Sequence, residues 1–244
     1  MALPGKEGMS NNIAKKNVDC LVVFSGGQDS TTCLYWAKEK FKRVHAVTFD
    51  YGQRHKIEIE SAKRIAELAG VESHEIVDLT GMMKTTSPLV DLSREVTHYD
   101  SVDELPGGIE PTFIPCRNIL FLTIAANRAV VKGIKDLIIG ISAIDYGGYP
   151  DCRPKFIILM EETLRHGLGM EINIHTPMIS LNKKDSVLLA SKLSGCMEAL
   201  AYSHTCYEGK FPPCGKCHAC LLRMKGFKEA GIEDPLIERA NPSY

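Results

Sequence analysis

The chain has 244 residues, 24% of them charged, with a formal net charge of −1, which suits one sizeable α/β domain with a small appendage. The nearly neutral charge argues against a constitutive nucleic-acid binder, which normally has a basic excess, and no apolar run reaches the roughly 20 residues of a membrane span. Nine cysteines without a secretory signal indicate reduced thiols and a metal site, in a protein that we expect to be cytoplasmic.

Three parts are predicted along the chain. Residues 1–17 lack the hydrophobic stretch of a signal peptide and are expected to form a loose leader. Residues 18–195 carry alternating strand and helix patterns, which predict an α/β domain with a doubly wound, mostly parallel sheet. Within it, residues 80–111 lose all periodicity and are expected to form a lid-like insert. Residues 196–244 are predicted to be a zinc-binding, helical C-terminal segment.

The first predicted strand, Val18–Phe24, leads into a glycine turn. The strand is a continuous apolar run, typical of burial on both faces of a sheet, and Ser25-Gly-Gly-Gln-Asp-Ser30 follows it. Asp29 and Ser30 are residue types that cap helices, so a helix is predicted over Thr31–Lys40. Strand, turn and helix N-terminus together form a cradle for phosphate. An ordinary βα turn is the alternative for a bare glycine pair.

Further strands and helices alternate along the chain. Strands are predicted at 43–49, 74–79, 136–141 and 171–175, and helices at 55–70, about 118–131, 154–167, 182–193 and 218–230. Ligands of open parallel sheets lie beyond the carboxyl ends of the strands, so the loops after Phe24 and Phe49 are expected to form walls of one pocket. Arg117 could bind phosphate with its forked donors or be a surface residue, and Asn118 is predicted to cap the third helix.

The loop after the fourth strand, residues 142–153, is rich in polar and aromatic side chains. A carboxylate such as Asp145 or Asp151 can accept both N–H groups of a guanine-like edge, and Tyr146 or Tyr149 can stack on its ring. Arg153 can bind a substrate carboxylate with two parallel hydrogen bonds. The loop therefore predicts a site for a planar heteroaromatic ligand, with a plain glycine-rich surface loop as the alternative.

Four cysteines near the end of the chain have the spacing of a metal site. They are Cys206, Cys214, Cys217 and Cys220, in the pattern C-x7-C-x2-C-x2-C. Four thiolates at this spacing can close a tetrahedral, structural Zn²⁺ site. A [4Fe–4S] cluster is the rival, although Leu221 stands where the ferredoxin pattern has proline. His204 and His218 are interpreted as bystanders to this site.

These motifs, taken in order, resemble one enzyme family. The Ser25–Ser30 loop resembles the pyrophosphatase loop (PP-loop) of the N-type ATP pyrophosphatases, which have a Rossmann-like, adenine nucleotide alpha hydrolase-like fold. From about residue 19 to 228 the chain resembles the 7-cyano-7-deazaguanine synthase (QueC) family. The further motifs are Phe49-Asp-Tyr-Gly-Gln53, Thr112-Phe-Ile-Pro-Cys-Arg-Asn118, Gly148-Tyr-Pro-Asp-Cys-Arg153, Leu181-Asn-Lys183 and the four cysteines. Family members usually carry glycine in place of Cys116, so no special backbone angle is expected there.

The resemblance implies an ATP-dependent C–N ligase of queuosine biosynthesis. It would convert 7-carboxy-7-deazaguanine and ammonia to 7-cyano-7-deazaguanine (preQ0) through adenylated acid and amide intermediates. The implied ATP-binding residues are Phe24, Ser25, Gly26, Gly27, Gln28, Asp29, Ser30, Thr31, Thr32, Cys33, Leu34, Phe49 and Asp50. The implied catalytic residues are Ser25, Asp29, Ser30, Arg117 and Lys183, with Mg²⁺ bridging Asp29 and the polyphosphate. Asp145, Tyr149, Asp151 and Arg153 are the substrate-binding candidates, and the four cysteines would hold one Zn²⁺.

The expected partners are therefore small molecules: ATP, ammonia and the deazaguanine acid. Stable binding to nucleic acid or membrane is not expected, and a homodimer is a candidate assembly. Two other functions stay open. A tRNA sulfur-transfer enzyme on the same fold predicts a basic patch and a reactive thiol. A non-catalytic nucleotide-binding module with a zinc knuckle would leave the intact phosphate cradle without a use.

Overall fold

The computed structural model of the protein describes residues 17–106, 108–144 and 148–241, and in these ranges five strands form one parallel sheet. The strands are β1 (Cys20–Val23), β2 (Val44–Asp50), β3 (Ser73–Asp78), β4 (Asp136–Ile139) and β5 (Asn173–His175). Their order is β3-β2-β1-β4-β5, and every neighbouring pair is parallel. The predicted parallel sheet of an α/β fold is therefore confirmed.

Eight α-helices accompany the sheet in the described ranges. They are α1 (Gln28–Lys40), α2 (Ile57–Ala69), α3 (Arg117–Val131), α4 (Pro154–Leu168), α5 (Lys183–Ala190), α6 (Cys196–Leu200), α7 (His218–Ala230) and α8 (Pro235–Ala240). Short 3₁₀ turns cover Val102–Glu104 and Pro150–Cys152. None of these helices is long and apolar enough to cross a lipid bilayer.

The central strand β1 explains why helices cover both faces of the sheet. Its residues are all buried, and successive side chains point to opposite faces. Leu21 packs into the core that includes α3 and α4, whereas Val22 packs into the core that includes α1 and α2. Burying one such side chain contributes about 1.5–3 kcal/mol to folding. Two hydrophobic cores on one sheet make the fold doubly wound, as predicted.

The strand order reverses between β1 and β4. The chain continues from β1 to β2 and β3 on one side of the sheet, and β4 and β5 lie on the other. The loops after Val23 and Ile139, which are paired in register, consequently lie side by side. A Cβ on Gly140 would lie 3.0 Å from Ser30 N, so glycine lets the end of β4 approach the first turn of α1. This reversal is where ligands of such sheets bind.

The first helix begins earlier than the sequence suggested. It starts at Gln28, with Gly27 at the N-cap and no side-chain capping bond. The prediction that Asp29 and Ser30 cap the helix is wrong, because both lie in its first turn. Ser30 Oγ instead donates back to the Gly27 carbonyl at 3.2 Å. The loop hydroxyl therefore stabilises the turn itself.

The third helix also begins differently from the prediction. Its N-cap is Cys116, which has a φ of 64°, so the expectation of an ordinary backbone angle there is wrong. This region of φ favours glycine, because a Cβ crowds the following carbonyl. Asn118 does not cap the helix, since its side chain donates to the Asp151 carbonyl at 3.3 Å. That bond ties α3 to the loop after β4.

The described residues of the insert, 80–106 and 108–111, lie against the C-terminal segment. Tyr99 N donates to Lys216 O at 2.9 Å, and Leu105 packs against Leu221 and Leu222 of α7. These contacts place the insert over the part of the chain that carries the four cysteines. Its function as a lid stays a prediction.

Candidate active site

A cavity of about 290 Å³ lies beyond the carboxyl ends of β1, β2 and β4. Its wall combines the Ser25–Ser30 loop, the starts of α2 and α3, the end of β4 and the C-terminal segment. Ten of the predicted site residues lie in this wall: Phe24, Ser25, Gly27, Gln28, Asp29, Ser30, Phe49, Arg117, Tyr149 and Lys183. The loops after Phe24 and Phe49 thus meet at one pocket, as the strand order requires.

The Ser25–Ser30 loop is held by its own hydroxyl groups. Ser25 Oγ accepts from Gly27 N at 3.2 Å and lies 3.1 Å from Ser30 Oγ, which in turn accepts from Ser25 N at 3.2 Å. Gly26 has a φ of 84°, in the region that favours glycine. The turn is therefore held by its own hydrogen bonds, and its N–H groups precede a helix N-terminus, an arrangement suited to an anion.

Asp29 and Lys183 form an ion pair at one end of the cavity. Lys183 Nζ donates to Asp29 Oδ2 at 2.7 Å, and the two side chains are 16% and 25% exposed. Asp29 Oδ1 is buried and has no hydrogen-bond partner among the described residues. Lys183 is the first residue of α5, and α7 fixes its position, since a Cβ on Gly226 would lie 2.8 Å from Lys183 Cβ. Lys183 therefore neutralises one carboxylate oxygen of Asp29 at this end of the cavity.

Arg117 contributes a positive charge to the cavity wall. Burial lowers its pKa, but Tyr51 and Asp151 nearby raise it more, so the net pKa lies above the usual value and the guanidinium stays charged. Beside it, the Phe49 ring stacks on Phe121 with centroids 4.2 Å apart and planes 15° apart. This part of the wall therefore presents one fixed cation next to an aromatic surface.

The predicted substrate-binding residues do not all face the cavity. Tyr149 lines it, and burial raises the pKa of its hydroxyl to about 12. Asp151 is buried outside the wall, where burial raises the pKa of its carboxyl above the usual value. Arg153 is exposed and donates to the Gly148 carbonyl at 3.2 Å. Asp145 lies outside the described residues, so its role and those of Asp151 and Arg153 stay predictions.

Some predicted ATP-binding residues also lie outside the wall. They are Gly26, Thr31, Thr32, Cys33, Leu34 and Asp50. Residues 31–34 are buried in α1, where they support the loop from behind. The Asp50 carboxylate accepts from Gly52 N at 3.0 Å and from Lys56 Nζ at 3.3 Å. Direct binding of ATP by these residues stays a prediction.

A buried polar chain that the sequence did not reveal joins Tyr149 to α7. Thr112 Oγ1 lies 2.7 Å from Tyr149 Oη and donates to Glu110 Oε2 at 3.0 Å. His218 Nδ1 lies 2.5 Å from the same Glu110 oxygen. His218 and His204 are outside the cysteine cluster, as expected, yet both line the cavity. No local sequence pattern indicates this row of polar side chains, because its residues come from three distant segments.

The four cysteines meet beside the cavity. Their sulfur atoms all lie within 4.8 Å of one another, and those of Cys214 and Cys220 are 3.9 Å apart. Hydrogen bonding within the cluster holds the pKa of Cys206 well below its usual range and, together with burial, raises the pKa values of Cys217 and Cys220. A tetrahedral ion with bonds of about 2.3 Å keeps its sulfur ligands about 3.8 Å apart. The cluster therefore fits a single metal ion.

Comparisons with known proteins give a consistent result. The family model of the queuosine biosynthesis protein QueC matches residues 19–231. A 7-cyano-7-deazaguanine synthase of Gloeobacter violaceus is 50% identical over 221 residues, which cover 88% of this chain and 94% of that protein. The enzyme of the same name from Chromobacterium violaceum is 49% identical over 224 residues, covering 90% and 93% respectively.

A solved structure gives a weaker match. The U34-tRNA thiolase NcsA from Methanococcus maripaludis, described with its [4Fe-4S] cluster, aligns with a TM-score of 0.48 and 16% identity. The alignment covers 96% of this chain and 71% of that chain. Similarity at this level bears on neither the function nor the metal of this chain.

Proposed function

The chain belongs to the QueC family of queuosine biosynthesis proteins, and we propose that it is an ATP-dependent ligase that makes 7-cyano-7-deazaguanine from 7-carboxy-7-deazaguanine and ammonia. The observation that carries this proposal is the match, over nearly the whole chain, to synthases of that name at 50% and 49% identity. The site supports it, because a phosphate-type loop opens into a cavity with an aromatic and cationic wall. The relatives' names favour this function over tRNA sulfur transfer or a non-catalytic module.

In this proposal the Ser25–Ser30 loop binds the β- and γ-phosphates of ATP. The loop N–H groups and hydroxyls would hold the pyrophosphate and stabilise the charge that it gains as it leaves. Lys183 and Arg117 would neutralise further phosphate oxygens from two sides of the cavity. The α-phosphorus would then be open to attack by the carboxylate of the substrate. No side-chain nucleophile is required, and catalysis rests on positioning and charge stabilisation.

The chemistry requires two rounds of activation. A carboxylate has to lose both oxygens to become a nitrile, and each adenylation removes one of them as part of AMP. In the first round ammonia would replace AMP and give the amide. In the second round the amide oxygen would be adenylated, and loss of AMP with the N–H protons would give the nitrile. One phosphate loop would serve both rounds.

Mg²⁺ fits the Asp29 end of the cavity. Asp29 Oδ1 is a buried carboxylate oxygen without a partner among the described residues, and carboxylate oxygens are the ligands that Mg²⁺ prefers. When bound, the ion would neutralise part of the polyphosphate charge. Without it, Asp29 would repel the phosphates, and Lys183 alone would offset that repulsion.

We further propose that the four cysteines bind one structural Zn²⁺. Their mutual distances support a single ion, because a four-iron cluster holds its ligands around the outside of a cube and needs them farther apart. Elemental analysis should find about one zinc per chain, and iron with sulfide in an anaerobically purified sample would contradict this. Cys217→Ser should chiefly lower the yield of folded protein, whereas a stable but inactive variant would indicate a catalytic metal.

The deazaguanine ring would lie between Tyr149 and the Arg117 wall. Asp151 and Arg153 remain our candidates for its amine edge and its carboxylate, and the charge of a buried partner is worth about 2–5 kcal/mol of binding. Asp151→Asn should then raise KM for the acid and leave ATP binding nearly unchanged. Equal losses for both substrates would make the loop purely structural. A homodimer in the cytoplasm remains our expectation for assembly and location.

The direct test of this function is product analysis. Purified protein, ATP, ammonia and 7-carboxy-7-deazaguanine should yield a product with the mass of the nitrile, together with AMP and pyrophosphate. Omitting ammonia should stop the reaction after adenylation, and Asp29→Ala should slow it strongly. A protein that binds ATP but leaves the acid unchanged would contradict the proposal.

A further inference from the structure

The start of α2 lies directly against the phosphate loop. A Cβ on Gly26 would lie 2.5 Å from Glu58 O and 2.6 Å from Ala62 N, so α2 packs on the loop backbone. On the other side, His204 N donates to the Gly26 carbonyl at 2.9 Å. His55, which lies two residues before this helix, and Glu58, its second residue, both line the cavity. They therefore lie next to the loop that we assign to pyrophosphate.

His55 is oriented by a chain of fixed polar groups. Its Nε2 lies 3.4 Å from Glu58 Oε1, which also accepts from Gln53 Nε2 at 3.0 Å. Gln53 is itself anchored to the backbone, since its Nε2 donates to Phe49 O at 3.2 Å and its Oε1 accepts from Tyr51 N at 2.9 Å. The end of β2 thus positions Gln53, Gln53 positions Glu58, and Glu58 positions the His55 ring.

The second ring nitrogen of His55, Nδ1, bonds to no described residue. The side chain is only 8% exposed, and Nδ1 is buried without a hydrogen-bond partner in the part of the chain that the structure describes. An unpaired buried polar group destabilises a fold, so such a nitrogen in a cavity wall indicates a ligand. His204, the neighbouring imidazole, differs, because its Nε2 is already 2.8 Å from the Cys206 carbonyl.

The surroundings of His55 favour an anionic ligand. Because Nε2 faces the Glu58 carboxylate, Nδ1 is the ring nitrogen that can bond a ligand, and a ring that carries a proton on Nδ1 donates it. The Tyr207 ring, with its centroid 6.0 Å from that of His55, contributes no charge. A charge-assisted hydrogen bond from imidazolium to a phosphate oxygen is stronger than a neutral one. The anion assigned to the adjacent loop is the polyphosphate of ATP.

We infer that His55, positioned by Glu58, donates Nδ1–H to an oxygen of the β- or γ-phosphate and so helps to bind the pyrophosphate as it leaves. This inference rests on the proposed function, because it takes the Ser25–Ser30 loop to be the pyrophosphate site. It adds a side chain from outside the loop. Glu58 and Gln53 are positioning residues that act through His55.

A matched pair of variants tests this assignment in the full-length protein. His55→Asn places an amide nitrogen close to the position of Nδ1, whereas His55→Gln places it close to Nε2. Calorimetry would measure the Kd of inorganic pyrophosphate and, separately, of AMP. His55→Gln should weaken pyrophosphate binding by about tenfold to a hundredfold, the range for a hydrogen bond to a charged group. His55→Asn should recover part of it, and AMP affinity should change less than about twofold.

Several results would overturn the inference. They are unchanged pyrophosphate affinity in His55→Gln, equal losses for pyrophosphate and AMP, or no binding of pyrophosphate by the unaltered protein. If His55→Gln fails to fold, Glu58→Gln replaces it, and it should weaken pyrophosphate binding in the same selective way. A protein that makes the nitrile while His55→Gln keeps full pyrophosphate affinity would refute this inference alone. Failure of the unaltered protein to make the nitrile would refute the proposed function, and the two failures are therefore distinguishable.

Discussion

Gly26→Ala tests how tightly the phosphate loop is packed against α2. Gly26 has a φ of 84°, and a Cβ there would lie 2.5 Å from Glu58 O and 2.6 Å from Ala62 N. Both are backbone atoms, so no side chain can rotate away. To reach the 3.4 Å at which ordinary contact begins, the loop or the whole start of α2 has to move. The substitution therefore changes the position of the loop itself.

Two terms set the size of the expected effect. Alanine in the left-handed region costs roughly 1–2 kcal/mol relative to glycine. Forcing an extra methyl group into a packed site costs about 1–3 kcal/mol more. We expect Gly26→Ala to lower the free energy of unfolding by about 2–5 kcal/mol, a large share of the stability of a typical domain.

Gly70→Ala is the matched control. Gly70 also has a positive φ, 62°, at the end of α2, but a Cβ there would have no atom within 4 Å. Only the backbone term applies, so the loss should be about 1–2 kcal/mol. Urea denaturation measures the free energy of unfolding of both variants. The comparison is valid if the slope of that free energy against urea concentration is the same in both. Equal losses in the two variants would refute the reasoning about close packing at Gly26.

Three further predictions concern other parts of the molecule. Cys116→Gly should raise the free energy of unfolding by up to about 1 kcal/mol, because removing the Cβ relieves the backbone strain at a φ of 64° and this gain exceeds the added flexibility of the unfolded chain. Cys116→Ala keeps a Cβ and should not raise it. Lys183→Met should cut kcat at least tenfold, because it leaves Asp29 without its cation, whereas Lys184→Met, at an exposed site, should not. Hydrogen bonds from Arg43 lower the pKa of the Asp19 carboxyl below 3.8. Their contribution to stability is therefore complete above pH 3.8 and is lost as the pH falls through the pKa of Asp19 in the folded protein. Arg43→Met should remove this contribution, so that the free energy of unfolding falls less steeply at acid pH.

Local patterns were sufficient to predict most of the fold. The apolar run before Ser25 identified β1, because an inner parallel strand is buried on both faces. Gly70 marked the end of α2, where it adopts the left-handed conformation. The cysteine spacing identified a cluster whose sulfur atoms do meet. Each of these signals lies within a few residues of the feature that it predicts.

What the sequence did not reveal depends either on the folded geometry of a short turn or on contacts between distant segments. Ser30 is a capping type of residue, yet its hydroxyl bonds the loop, because Gly27 and Ser25 lie within reach only in the folded turn. Cys116 adopts a glycine-like angle that its residue type does not indicate. The Glu110–His218 contact joins the insert to α7, and no local pattern specifies that pairing.

The fate of the oxygen atoms of the acid tests the central claim most directly. If the Ser25–Ser30 loop holds the leaving pyrophosphate, the carboxylate attacks the α-phosphorus, and an ¹⁸O label in the acid should appear in AMP. The unlabelled amide, supplied with ATP alone, should also be converted to the nitrile, since the second activation uses the same loop. Mass spectrometry of the nucleotides gives the answer. Formation of ADP with the label in inorganic phosphate would contradict the account.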